Sequence, residues 1–299
     1  MIEPGLLILA GPISYFQAVV LGLLQGFAEL FPISSLGHSV ILPRLFGWNI
    51  HQDDKYFIAF LVATHLATAI VLLVFFGRDW IRILSGMWRS LVERDISPDN
   101  PEARLGWLVV VATIPAGILG LLLQDKLQSV FASARSAAFF LILNGFMLYG
   151  AELLRRRAPG VPEGDVDDDV RIVKRVGWRE ALGVGAAQAI ALIPGFSRSG
   201  ASMGGSLLVG LSNEDAARFA FLLATPIIGA AALLKIPVLL GPDGNGVRGP
   251  AVAASLCAAV TAYLSVRFLM RYFETNRLTP FAIYCVIAGV ATSIYFAVT

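Results

Sequence analysis

The chain has 299 residues, of which 57% are hydrophobic and only 15% charged, with a net charge of +2. With a mean hydropathy of +0.73, this excludes a soluble globular domain and points to an all-α integral membrane protein. The charges lie between apolar stretches, so nucleic acid is not an expected partner. Cys257 and Cys285 fall in apolar stretches and read as buried free thiols rather than a disulfide framework. The opening Met1-Ile2-Glu3-Pro4-Gly5 lacks a basic n-region, so the first apolar run is expected to stay in the mature protein.

In chain order, the first apolar stretch runs from Ile13 to Leu42 and is interrupted near its middle by Pro32, with Ser34 and Ser35 just beyond. Runs long enough to cross about 30 Å of hydrocarbon follow at Phe57 to Phe76, Leu105 to Leu123 and Ser136 to Leu154. A second interrupted stretch, Ala181 to Leu211, is broken at Pro194-Gly195, with serines again on its C-terminal side. Three more spans complete the chain at Ala216 to Leu240, Pro250 to Met270 and Pro280 to Ala297. Six crossings and two helix-break-helix segments are therefore expected.

Basic residues set the expected orientation. Loops 78 to 104, 155 to 179 and 271 to 279 are arginine-rich, whereas the opposing loops carry only Arg44 and Lys55, Lys126 and Arg135, and Arg248. For that alternation to hold, each interrupted stretch must enter the membrane and return on its own side, as a re-entrant hairpin. Shifting the sequence by 163 residues matches Ala18 with Ala181, Gly22 with Gly185, Gln25 with Gln188, Ser34 with Ser197, Gly37 with Gly200 and Ser39 with Ser202, without a gap. Each unit is then a hairpin plus three spans, and an odd number of spans inverts the second unit. One membrane domain over 1–299 is expected: repeat 1 over about 13–154, a cytoplasmic linker over about 155–179, and repeat 2 over about 180–299. Inverted repeats of this kind place a site near the midplane, where helix N-termini face anionic groups.

The repeat is asymmetric at its breaks: Glu29 aligns with Leu192, Ser35 with Arg198 and His38 with Ala201. One break thus offers acid and imidazole, the other guanidinium. Ionisable groups at bilayer depth cost roughly 2.5 to 3.5 kcal/mol each on insertion scales, so such a cluster points to a ligand path. The run Pro194-Gly195-Phe196-Ser197-Arg198-Ser199-Gly200-Ala201-Ser202 reads as an anion cradle, combining a bidentate guanidinium with hydroxyls and helix-start N–H groups. His65, alone in the first full span, reads as a packed histidine bonded to a neighbouring helix, with the border of a cavity as the alternative. Asp165, Asp167, Asp168 and Asp169 have the look of a calcium loop, but Val170 and Val176 stand where glycine and glutamate are needed, so a solvated loop is expected.

The segments Gln25-Gly26-Phe27-Ala28-Glu29 with Pro32-Ile33-Ser34-Ser35-Leu36-Gly37-His38, and Pro194-Gly195-Phe196-Ser197-Arg198-Ser199-Gly200, resemble the two signatures of the undecaprenyl-diphosphate phosphatase (bacitracin-resistance) family, and the late Pro280-Phe281-Ala282-Ile283-Tyr284 fits as well. The resemblance implies hydrolysis of a C55 polyprenyl diphosphate to the monophosphate carrier of cell-wall synthesis, in a multi-pass protein of the bacterial inner membrane. It implies a pocket opening to the outer face and a divalent cation, Mg²⁺ or Ca²⁺. Carried over by position, Glu29 holds the metal or orients water, Ser35 is the candidate nucleophile or binds phosphate while water attacks, His38 is the general acid or base and Arg198 the clamp. Gln25, Ser34, Ser197, Ser199, Gly200 and Ser202 would contact phosphate. Gln25 is the permitted variant at the first position of an acidic pair, leaving Glu29 as its only carboxylate, and Ser202 stands where threonine is common. The rival reading is a polyprenyl-phosphate transporter or flippase on the same scaffold. Expected partners are the lipid substrate and membrane lipids, and the small-residue faces permit a homodimer.

Overall fold

The computed structural model describes residues 12–50, 54–96, 100–131, 133–155 and 168–298, apart from the side chains of 124–131 and 243. The expectations for Met1 to Gly5, Asp165 and Asp167 lie outside these residues. Among the described residues there is no strand, and six helices are long and apolar enough to cross a membrane.

Helix α1 (Tyr15–Ala28) starts at a reciprocal cap: the Ser14 hydroxyl accepts the Gln17 N–H at 3.2 Å, and the Gln17 side chain accepts the Ser14 N–H at 2.9 Å. At about 1.5 Å per residue its 14 residues reach only some 21 Å, short of a crossing. After a break over residues 29–34, α2 (Ser35–Leu45) begins, followed by the spanning helix α3 (Lys55–Phe75), the amphipathic α4 (Gly77–Glu93), and the spanning helices α5 (Pro101–Phe131) and α6 (Ala134–Arg155). The second half opens with the short α7 (Asp168–Arg175). Next come α8 (Trp178–Ala189), one 3-10 turn, a break, and α9 (Arg198–Leu208). The spanning helices α10 (Asn213–Leu240), α11 (Arg248–Phe273) and α12 (Thr279–Val298) close the chain.

Packing exchanges partners between the halves. Helix α1 lies against α11, α8 against α5, α3 against α10 and α6 against α12. The small residues that align in the sequence explain two of these contacts: a Cβ at Gly22 would strike the backbone of Ala254, and a Cβ at Gly185 would strike the backbone of Ala112. Both glycines let a short helix approach the spine of a long one from the other half, the close contact on which helix association in lipid depends. Helices α2 and α9 both rest on α6. The two breaks therefore meet beside α6.

Two segments expected to be loops are helical. Residues 78–104 contain α4, whose Ile83, Gly86 and Ser90 are buried while Ile81, Leu84, Trp88 and Leu91 face outward, because arginines and apolar residues alternate at helical spacing. The expected solvated acidic loop ends in α7, and Asp169 is 1% exposed, its carboxylate paired with Arg218 at 2.8 Å and Arg82 at 3.2 Å. Arg218 also reaches Asp79 at 3.0 Å, so this cluster ties α4, α7 and α10 together at one end of the bundle. Cys285 is buried as expected, Cys257 only half-buried, and both are free.

Candidate active site

Each break ends in a serine that caps the following helix. The Ser34 hydroxyl accepts the Gly37 N–H and the Ser197 hydroxyl accepts the Gly200 N–H, both at 3.1 Å. Asn144 of α6 joins the two breaks: its Nδ2 donates to the Pro32 carbonyl at 3.1 Å and its Oδ1 accepts the Ser197 N–H at 2.9 Å. Gly37 abuts Gly195, and in the same way Gly200 abuts Pro32. Two helix N-termini, with their partial positive charge, are thereby brought together in the interior.

Glu29 sits between them, 6% exposed. Its Oε2 accepts the Ser35 hydroxyl at 2.5 Å and the Gln25 amide at 3.0 Å. Its Oε1 accepts the Arg198 guanidinium, from Nη2 at 2.9 Å and Nε at 3.3 Å. The Ser199 hydroxyl donates to the Glu29 carbonyl at 3.1 Å and lies 3.1 Å from the Ser197 hydroxyl. Residues 169 positions apart in the chain therefore share one carboxylate. Arg198 Nη1 is buried without a hydrogen-bond partner. A guanidinium with an unused donor, between two helix N-termini and beside a hydroxyl held by a carboxylate, is built to receive an anion.

Not every expected residue joins this cluster. Both nitrogens of His38 are engaged elsewhere, Nδ1 with the Ser34 carbonyl at 2.8 Å and Nε2 with the Tyr284 hydroxyl at 2.9 Å. The ring lies one helical turn from Ser35 but shares no hydrogen bond with Ser35 or Glu29. The Ser202 hydroxyl donates to Gln188 Oε1 at 3.3 Å, on the helix pair behind the break. His65 belongs to the cluster instead: its Nε2 lies 3.4 Å from Glu29 Oε2. The sequence signal for it was a single polar residue in an apolar span, and the same kind of signal, equally ambiguous, marked Asn144.

A metal held by the protein does not fit these residues. Among those described, no three His, Cys, Asp or Glu side chains gather into a ligand group, and both oxygens of the lone carboxylate, Glu29, already accept hydrogen bonds. A divalent cation would have to arrive on the oxygens of a bound diphosphate.

The model of the family described as bacitracin resistance protein BacA matches residues 18–291. This chain belongs to that family. Among its relatives is the undecaprenyl-diphosphatase of Mycolicibacterium paratuberculosis, 49% identical with 95% of this chain and 98% of the relative covered. Undecaprenyl-diphosphatase 2 of Frankia alni is 42% identical, with 96% and 99% covered. The undecaprenyl-diphosphatase of Granulibacter bethesdensis is 45% identical, with 91% and 94% covered. Both signature segments of the BacA resemblance fall inside the matched range and form the two breaks.

Proposed function

We infer that this chain is a membrane phosphatase that hydrolyses undecaprenyl diphosphate to undecaprenyl phosphate and phosphate, recycling a lipid carrier of cell-wall synthesis. Family membership supports the substrate. The observation that carries the chemistry is the Glu29 carboxylate, hydrogen-bonded at once by the Ser35 hydroxyl of its own half and the Arg198 guanidinium of the other.

In this reading Arg198 and the N-termini of α2 and α9 hold the terminal phosphate. Glu29 Oε2 takes the Ser35 proton as the Ser35 oxygen bonds to the terminal phosphorus. The bond from that phosphorus to the bridging oxygen breaks, and its electron pair leaves with undecaprenyl phosphate. Water then bonds to that phosphorus as its bond to the Ser35 oxygen breaks; the Ser35 oxygen regains its proton from Glu29, and the water's oxygen and protons leave with the released phosphate. An unassisted serine is a weak nucleophile, so the hydrogen bond to Glu29 is the activating contact. The rest of the acceleration comes from placing positive charge around the phosphoryl oxygens. His38, one turn from Ser35, is proposed to act as acid or base only after its bond to Tyr284 opens.

We further propose that α1–α2 and α8–α9 are re-entrant hairpins of an inverted repeat in the bacterial plasma membrane. Supporting this are their sub-spanning lengths, the exchanged packing partners and the paired contacts of Gly37 with Gly195 and Gly200 with Pro32. The lipid substrate and membrane lipids are the partners this reading needs; it does not require a second copy. The test is phosphate release from a polyprenyl diphosphate by the purified protein in detergent. Release that is lost in Ser35→Ala supports the phosphatase. No release by the intact protein would overturn it in favour of transport.

A further inference from the structure

We propose that His65 is a positioning residue of this phosphatase, holding Glu29 Oε2 toward Ser35 so that the carboxylate cannot turn fully onto Arg198. The inference rests on the phosphatase reading and adds to it a residue from the first spanning helix.

Several groups compete for one carboxylate. Arg198 presents its Nε and Nη2 to Oε1 and has Nη1 buried and unpaired. Guanidinium and carboxylate prefer a two-pronged pairing in which both oxygens are engaged. If Glu29 rotated to satisfy Arg198 in that way, Oε2 would leave Ser35, and the serine would lose the group that takes its proton. Two contacts oppose the rotation from the Oε2 side. One is the Gln25 amide at 3.0 Å, the other His65 Nε2 at 3.4 Å.

The His65 ring is itself fixed. Its Nδ1 lies 2.7 Å from the Leu61 carbonyl one turn earlier in α3. A carbonyl can only accept, so Nδ1 carries a hydrogen; Nε2, aimed at Glu29, holds Oε2 as a second N–H, the ring then being an imidazolium paired with the carboxylate. Thr64, on the same turn, also donates to Leu61, at 2.8 Å, and is fully buried, as is Thr68. The α3 backbone at this depth is therefore locked into the core. The His65 side chain is 26% exposed against 5% for Glu29, which places the ring at the rim of the cluster rather than in packed interior. Arg198 and His65 thus bracket Glu29 from its two oxygens, and Ser35 lies on the His65 side.

The test is steady-state phosphate release from a polyprenyl diphosphate by purified His65→Ala, His65→Gln and His65→Asn. A displaced catalytic group costs about 100-fold in rate, so His65→Ala should lose about that factor in kcat, with KM within about threefold of the intact protein. Glutamine reaches as far as the imidazole and can donate to Oε2, so His65→Gln should recover most of kcat. Asparagine is too short to reach and should not. Recovery by glutamine but not asparagine separates positioning from a general loss of folding. Unchanged kcat in His65→Ala, a loss confined to KM, or equal losses in all three variants overturns the proposal. An intact protein that releases no phosphate fails the phosphatase reading itself, a separate outcome.

Discussion

The two breaks have the same frame and opposite contents. In both, a serine caps the next helix by taking the N–H of a glycine three residues on, and the glycine or proline of one break presses on the other. The backbone solutions differ in where the turn is made. The first break places Ser34 itself at φ 71, whereas the second places Gly195 at φ 107 and leaves Ser197 extended. The side chains differ more sharply, because Glu29 and Ser35 stand where the second break has Leu192 and Arg198. The frame brings two helix N-termini together, and the divergence sets different side chains on them. In the proposed mechanism one half supplies nucleophile and base, and the other the charge that holds the phosphate.

The comparison breaks most visibly at the divergent positions. Arg198→Ala should lower phosphate release by about 1000-fold or more, the scale of removing an arginine from phosphoryl transfer. Ser35→Ala should do the same, while neither variant changes the amount of folded protein. A loss below about tenfold in either would mean that the halves do not divide the chemistry as argued.

The shared frame is tested at Asn144. Asn144→Ala leaves the Pro32 carbonyl and the Ser197 N–H without their partner, at about 1 to 3 kcal/mol for each buried group left unpaired. A clear fall in thermal midpoint together with loss of activity is expected. A smaller effect separates the two turns. Ser197→Ala should cost about 1 kcal/mol from the lost cap. Ser34→Gly loses the same cap but relieves a left-handed residue, so it should be close to neutral in unfolding measurements. Equal costs would mean that the backbone difference between the breaks carries no energy.

The smallest effect concerns Gln25. Its amide donates to Glu29 Oε2 at 3.0 Å, so Gln25→Glu would set two carboxylates side by side. That variant should make phosphate release more dependent on added Mg²⁺, read as a steeper cation titration. An unchanged titration removes the idea that the glutamine weakens this site's need for a metal.

Much of this was legible in the sequence for a physical reason. Long apolar runs and prolines that stop helices are local signals, and they located the six spans and both breaks. The breaks also announced Glu29, Ser35 and Arg198, because a charge in an apolar stretch is costly unless it meets a ligand or a counter-charge. Helices α4 and α7 were read as loops, since short charged segments look alike whether they coil or fold against a bundle. His65 and Asn144 were missed as site residues because a lone polar group in a span looks the same whether it packs or reaches a neighbour. Only the crossing of α3 and α6 past the breaks decides that, and no local pattern encodes it. His38 shows the reverse case, where closeness along the chain to Ser35 suggested a contact and the ring turned to Tyr284 instead.

The most direct measurement is a cross-link between the breaks. A Cβ at position 200 would lie 3.3 Å from the Cβ of Pro32, close to the separation of about 3.5 to 4.5 Å that disulfides span. Pro32→Cys with Gly200→Cys, in a chain with Cys257 and Cys285 replaced by alanine and a protease site introduced between Arg155 and Asp168, should stay as one band after cleavage without reductant and separate when reductant is added. Two fragments that part under oxidising conditions, in protein that still releases phosphate, would contradict the meeting of the two breaks.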